Sequence, residues 1–236
     1  MRVFLIFIVA HLVGDFLLQT RTLINRKRAR EPQAFLEHAL IHLVLAVMLQ
    51  VLIGSFSQSS FLLSVFIALS HGLVDYWGYP LREKGLQSRT LGLLLDQLIH
   101  LGIIFLLGYR LAPYYTPSAV DQLLGILISL LLIIRVAGII IGSILDDFRA
   151  REKNPIHYGG DNPAIGRYIG YLERGMILYF LYSGSPASIA LLATFKTIAR
   201  YKKLEEQSFA EYYLLGTMLS LSAGILGSFL IRFFTA

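Results

Sequence analysis

Long apolar runs separated by short polar stretches fill the sequence. Eight runs have helical length: near 3–20, 34–54, 61–79, 91–110, 122–145, 167–183, 187–200 and 210–232. Most reach the ~20 residues a helix needs to cross a bilayer. They predict an all-α, polytopic integral membrane protein of about eight helices. The seventh run is short, ends in Arg200, and reads also as a re-entrant segment. Residues 1–20 begin like a signal peptide, but no small-residue cleavage site follows and polar residues interrupt the run. It is expected to stay as a membrane helix.

The polar stretches alternate in charge. RTLINRKRAREPQ carries Arg21, Arg26, Lys27, Arg28 and Arg30; PLREKGLQSR carries Arg82, Lys84 and Arg89; DDFRAREKNPIHYGGDNPAIGR and ARYKKLEEQ are also charged. GSFSQSS and SGSP carry none, and LAPYYTPSAV has only Arg110 at its edge. Basic loops stay cytoplasmic. The odd loops therefore read as cytoplasmic and both termini as outside. The fifth, with Gly159, Gly160 and Pro163, suggests a division into residues 1–112 and 113–236, with a cytoplasmic loop over 146–166.

Composition agrees. The 236 residues are 56% hydrophobic and 15% charged, with mean hydropathy +0.64. The net charge of +6 is explained by the loops, and no nucleic-acid motif accompanies it. No nucleic-acid partner is expected. With no cysteine, disulfides, thiolate metal sites and cysteine nucleophiles are excluded. No G-x-S-x-G elbow, P-loop or dinucleotide fingerprint occurs.

Polar residues inside lipid need a reason, and the first four runs share one pattern. HLVGD holds His11 and Asp15, HALIH holds His38 and His42, HGLVD holds His71 and Asp75, and DQLIH holds Asp96 and His100. Each is an i,i+4 pair on one helix face. Counted from the presumed cytoplasmic ends, all four pairs fall in one layer. Packed as a four-helix bundle, these helices would offer five imidazoles and three carboxylates to one core, where bundles commonly hold metals. Eight ligands exceed one ion's needs, so two ions are expected. Without sulfur the set suits zinc, manganese or iron, with zinc the first choice for hydrolysis. The bland alternative is a buried polar network holding the helices together. Gln19 and Gln97 are candidates to orient a ligand or a water.

The second half has its own charges: Arg167, Glu173 and Arg174 in the sixth run, Lys196 and Arg200 in the seventh, Glu211 at the start of the eighth. One reading is an ion network joining Glu173 and Glu211 to Arg174, Lys196 or Arg200. The other makes Lys196 and Arg200, with Glu173 and Arg174 beside them, a site for a lipid phosphate. Gly166, Gly170, Gly175, Gly216, Ser220 and Gly224 suit close helix packing. His157 lies on the polar loop, apart from the pairs.

The pattern HxxGDFxxQ, here His11, Gly14, Asp15, Phe16 and Gln19, followed by HxxxH, HxxxD and DQxxH, resembles a bacterial inner-membrane family known only as a domain of unknown function. The likeness covers residues 1–105. More distantly, the His/Asp pattern is similar to membrane-bound metal-dependent hydrolases of bacterial inner membranes. That implies an inner-membrane location and a hydrolase. The shared depth of the four pairs and the second-half charges points to an ester or phosphoester of a lipid or lipid-linked molecule at the cytoplasmic leaflet as substrate. One of Asp15, Asp75 or Asp96 would double as general base. A metal-ion or proton transporter, a di-iron redox enzyme and a non-catalytic metal-stabilised bundle are the competing expectations.

Overall fold

The computed structural model describes residues 2–80, 88–108, 118–151 and 163–235. Arg82, Lys84, Arg110, His157, Gly159 and Gly160 lie outside the described residues. Every element among the described residues is helical. The helices are α1 (Arg2–Val13), α2 (Arg21–Arg28), α3 (Pro32–Leu52), α4 (Gln58–Pro80), α5 (Arg89–Gly108), α6 (Ala119–Leu130), α7 (Ala137–Arg151), α8 (Pro163–Tyr182), α9 (Ala187–Ile198) and α10 (Gln207–Thr235). Two compact units divide at Ile128/Ser129.

Among the described residues, fewer helices than the eight expected qualify as crossings. Five are long and apolar enough to span a membrane: α3, α4, α5, the α6–α7 pair joined by a π turn, and α10. Six result if α1 and α2 count as one bent span. α9 has 12 residues, about 18 Å of helix, which is too short. α8 has 20 residues but carries Arg167, Glu173 and Arg174, which lower its hydropathy below that of a span.

In the first unit α1 packs on α3 and α5, α3 on α4, and α4 on α5. The helices close around a core of Phe7, Ala10, Ala46, Ile67 and Ile104, to which all four contribute. α1 buries residues all round its surface, from Leu5 to Leu12, as a helix inside a bundle must. α3 sorts its faces differently. His38, His42, Ala46 and Gln50, four residues apart, are buried, while Leu36, Leu40, Val44 and Val51 are exposed. The large apolar side chains face outward and polar and small ones inward, which suits a lipid surround.

The first helix does not run smoothly into a loop. It widens into a π turn at Gly14–Leu18, and Gln19 leaves it in extended conformation. Thr20 then caps α2, its Oγ1 accepting from the Leu23 amide at 3.2 Å. α2 turns away from α1 by 89°. The stretch expected to be a basic loop is therefore largely a helix. Its Leu23 and Lys27 face inward, while Arg21 and Arg28 stay exposed. Arg30, with φ 63°, turns the chain into α3, which Pro32 opens.

The second unit packs α10 on α7 and α8, and α9 on α8. Of the small residues expected to permit this, Gly224 does so: a Cβ there would meet Ile177 Cγ2 at 2.4 Å. Gly170 lies against Arg174, whereas Gly166 and Gly175 face nothing within 4 Å. The tightest approach is at Gly227, where a Cβ would lie 1.9 Å from Ile133 Cδ1. Gly227→Ala is expected to destabilise the unit by about 1–3 kcal/mol through overpacking, read as a lower thermal midpoint in detergent. An unchanged midpoint would count against this packing.

Candidate metal centre

All four His/Asp pairs meet at one end of the first unit's bundle. α1 and α4 bring Asp15 and Asp75 near their C-terminal ends, and α3 and α5 bring His38 and Asp96 near their starts. The eight side chains fall into three overlapping groups able to hold a cation: His11, Asp15, His42 and His71; His38, His71 and Asp75; and Asp75, Asp96 and His100. His71 and Asp75 each belong to two groups. The rings are close, with centroids 3.8 Å apart for His42 and His71 and 4.1 Å for His71 and His100.

Asp15 is the hub. Its Oδ1 accepts from His38 Nε2 at 3.0 Å and His42 Nε2 at 3.1 Å. His71 Nε2 lies 3.3 Å from the same oxygen without the alignment of a hydrogen bond. Asp15 Oδ2 accepts from Gln97 Nε2 at 3.0 Å. The same Gln97 nitrogen is 3.3 Å from Asp96 Oδ2, and Gln97 Oε1 is 3.0 Å from His11 Nε2. Gln97 thus links His11, Asp15 and Asp96. Gln19 takes no such place. The π turn ends before it, and no hydrogen bond ties it to the cluster.

The π turn puts Asp15 where it is, and Gly14 makes room. A Cβ on Gly14 would stand 2.5 Å from His42 Cε1 and 2.6 Å from its Nε2. π turns inside α-helices are frequent at functional sites. Lys27, read from the sequence only as a loop charge, belongs to the cluster as well. It is completely buried and forms a short ion pair with Asp75 Oδ2. The Leu23/Lys27 spacing on α2 was the only signal for it.

Whether a cation fits is decided by the ring nitrogens. His100 donates from Nδ1 to the backbone oxygen of Asp96 at 2.8 Å, which leaves its Nε2 as a bare lone pair. With Gln97 Oε1 accepting from His11 Nε2, His11 Nδ1 is likewise bare. These two nitrogens, His38 Nδ1 and His71 Nε2 are buried without a hydrogen-bond partner among the described residues. Buried polar atoms without partners are rare and costly. A backbone carbonyl that holds one ring nitrogen while the other stays free is how metal-ligating histidines are commonly oriented. A cavity of about 10 Å³ borders His11, His42, His71 and His100 and is otherwise walled largely by apolar residues such as Phe7, Ile67 and Ile104. That is the scale of one water molecule. The residues could hold a metal ion.

A family model described as "Protein of unknown function (DUF3307)" matches residues 3–124. The chain belongs to the DUF3307 family. No curated protein and no solved structure matches it. The DUF3307 match takes in α1 to α5 and all eight residues of the cluster, together with Gly14, Lys27 and Gln97.

The second-unit charges lie outside the DUF3307 match and are arranged as a network. Lys196 Nζ donates to both Glu173 oxygens, at 2.8 and 2.9 Å, and to Thr217 Oγ1 at 3.2 Å. Arg174 does not pair with Glu173. It is buried between Gly138 and Gly170 and donates to the Ile134 carbonyl, in the π turn between α6 and α7, at 2.9 Å. Arg200 stands 5.9 Å over the Tyr213 ring, and Glu211 accepts from Gln207 at 3.0 Å. Lys196 is therefore not the surplus cation that a phosphate site would use.

Proposed function

We propose that the first unit is a membrane-embedded, metal-dependent hydrolase acting on an ester or phosphoester of a lipid or lipid-linked molecule. The convergence of four His/Asp pairs on one spot, with bare ring nitrogens left among them, carries this reading. Zinc remains the first choice of metal, with manganese or iron next, since the donors are imidazoles and carboxylates. When bound, such an ion supplies Lewis acidity and makes a water molecule acidic near neutral pH.

The chain's own residues divide the remaining work. Asp15 gathers His38, His42 and Gln97 and supplies the central negative charge. Asp15 and Asp96 are the least buried of the eight, with side chains 10% and 11% exposed. Water and an ester group reach the cluster from their side. Asp96, held to Asp15 through the Gln97 amide, is placed to take a proton. Asp75, bound to Lys27, is not free to do so. The basic face of α2 lies at the same end of the bundle, which favours the cytoplasmic side of a bacterial inner membrane. Nothing in this reading uses the charges of the second unit.

The test is turnover of a panel of labelled phospholipids and lipid-linked esters by detergent-purified protein and by His42→Ala. Wild type should release product and the variant should lose roughly 100-fold or more, at least as much as removal of an outer partner costs. Equal rates would sink the proposal.

Transport of a metal ion or proton is a second reading with one observation in its favour. Ser64 lines the cavity and accepts at 2.8 Å from Gln50, and both are fully buried in the lipid-spanning part of the bundle. Ion flux into sealed vesicles without lipid turnover would select it.

A further inference from the structure

Lys27 changes what the centre can hold. Its side chain has no exposed surface. Lysine is almost never fully buried unless it is paired, and the partner here is Asp75. Asp75 is also the carboxylate shared by two of the three cation groups, the one with His38 and His71 and the one with Asp96 and His100. Its Oδ2, the oxygen Lys27 binds, lies 3.8 Å from His38 Nε2 and 3.9 Å from His71 Nε2. A second metal ion in either group would compete for Asp75 with the ammonium already bound to it. The Phe35 ring closes the other side, 5.8 Å from Nζ.

We propose that Lys27 stands in for a second metal ion: the centre takes a single divalent cation at His11, Asp15, His42 and His71, and the ammonium holds Asp75 beside it. The proposal rests on the metal reading above. It replaces the two ions expected from counting ligands, and it makes Lys27 a positioning residue. It also gives α2 a purpose. The 89° turn and the Thr20 cap set α2 across the end of the bundle, and Lys27 projects from there into the cluster, with Leu23 buried one turn earlier.

The experiment is elemental analysis of full-length protein in detergent after zinc loading and desalting. Wild type and Lys27→Arg should each hold one zinc per chain, and Lys27→Met, which frees Asp75, should hold two. The double variant Lys27→Met/Asp75→Leu, in which an apolar pair replaces a buried ion pair, should fold and keep one zinc even if Lys27→Met alone does not fold. Two zinc ions in wild type, one in folded Lys27→Met, or none in the folded double variant would overturn the assignment of Lys27 and leave the metal reading standing. No zinc in wild type would overturn both.

Discussion

Asp15→Ala will empty the metal centre and loosen the bundle. The Asp15 carboxylate accepts hydrogen bonds from three other side chains. His38, His42 and Gln97 each lose an acceptor, and each buried donor left alone costs about 1–3 kcal/mol. Several kcal/mol is a large share of a typical domain's total of about 5–15 kcal/mol. Bound metal should fall to background, and the thermal midpoint in detergent should drop well below that of wild type. Asp15→Asn separates the two effects. It keeps the size and part of the hydrogen bonding, so the midpoint should recover in part while the metal stays lost, because a neutral amide cannot replace the carboxylate's charge. If Asp15→Ala keeps both its metal and its midpoint, Asp15 is not the hub described above.

The second large effect comes from one methyl group. Gly14→Ala places a Cβ within 2.5–2.9 Å of three atoms of the His42 ring, so the imidazole has to leave. His42 Nε2 then gives up its contacts with Asp15 at 3.1 Å and His38 at 3.3 Å. Metal affinity should fall roughly 10–100-fold, as when a ligand loses its orientation, and overpacking should cost about 1–3 kcal/mol. The double variant Gly14→Ala/His42→Ala separates steric displacement from other causes. The added methyl then points into the space the ring has left. Affinity should be no lower than in His42→Ala alone, and stability should be higher than in Gly14→Ala, a non-additivity expected only for residues in contact. Additive losses would mean that Gly14 acts elsewhere.

How far the sequence could be read differs by element. The four pairs were legible because i,i+4 spacing survives any packing of straight helices, and polar residues in apolar runs stand out. The π turn was not legible. Nothing in GDFLL marks the widening of the helix, so Gln19 read as a candidate to orient a ligand although the backbone has already left the helix there. Thr20 ahead of Arg21 was a readable cap, but the positive-inside rule treats every basic residue between two runs alike. Only packing separates buried Lys27 from exposed Arg28. The rear half was over-read for a related reason. The alternation of loop charge counted α9 as a crossing despite its short run, and the competing phosphate reading needed Lys196 to be free, whereas Glu173 sits one helix away with both oxygens on its ammonium.

The histidine pairs form a metal site on this reading and not only a polar network joining helices. Elemental analysis of the protein as purified, beside His42→Ala/His71→Ala, tests it most directly. Zinc, manganese or iron should be close to stoichiometric with the chain in wild type and near background in the variant. A wild-type chain that is folded and metal-free, and that stays so after loading with each of the three metals, would contradict it and leave the four pairs as a structural network.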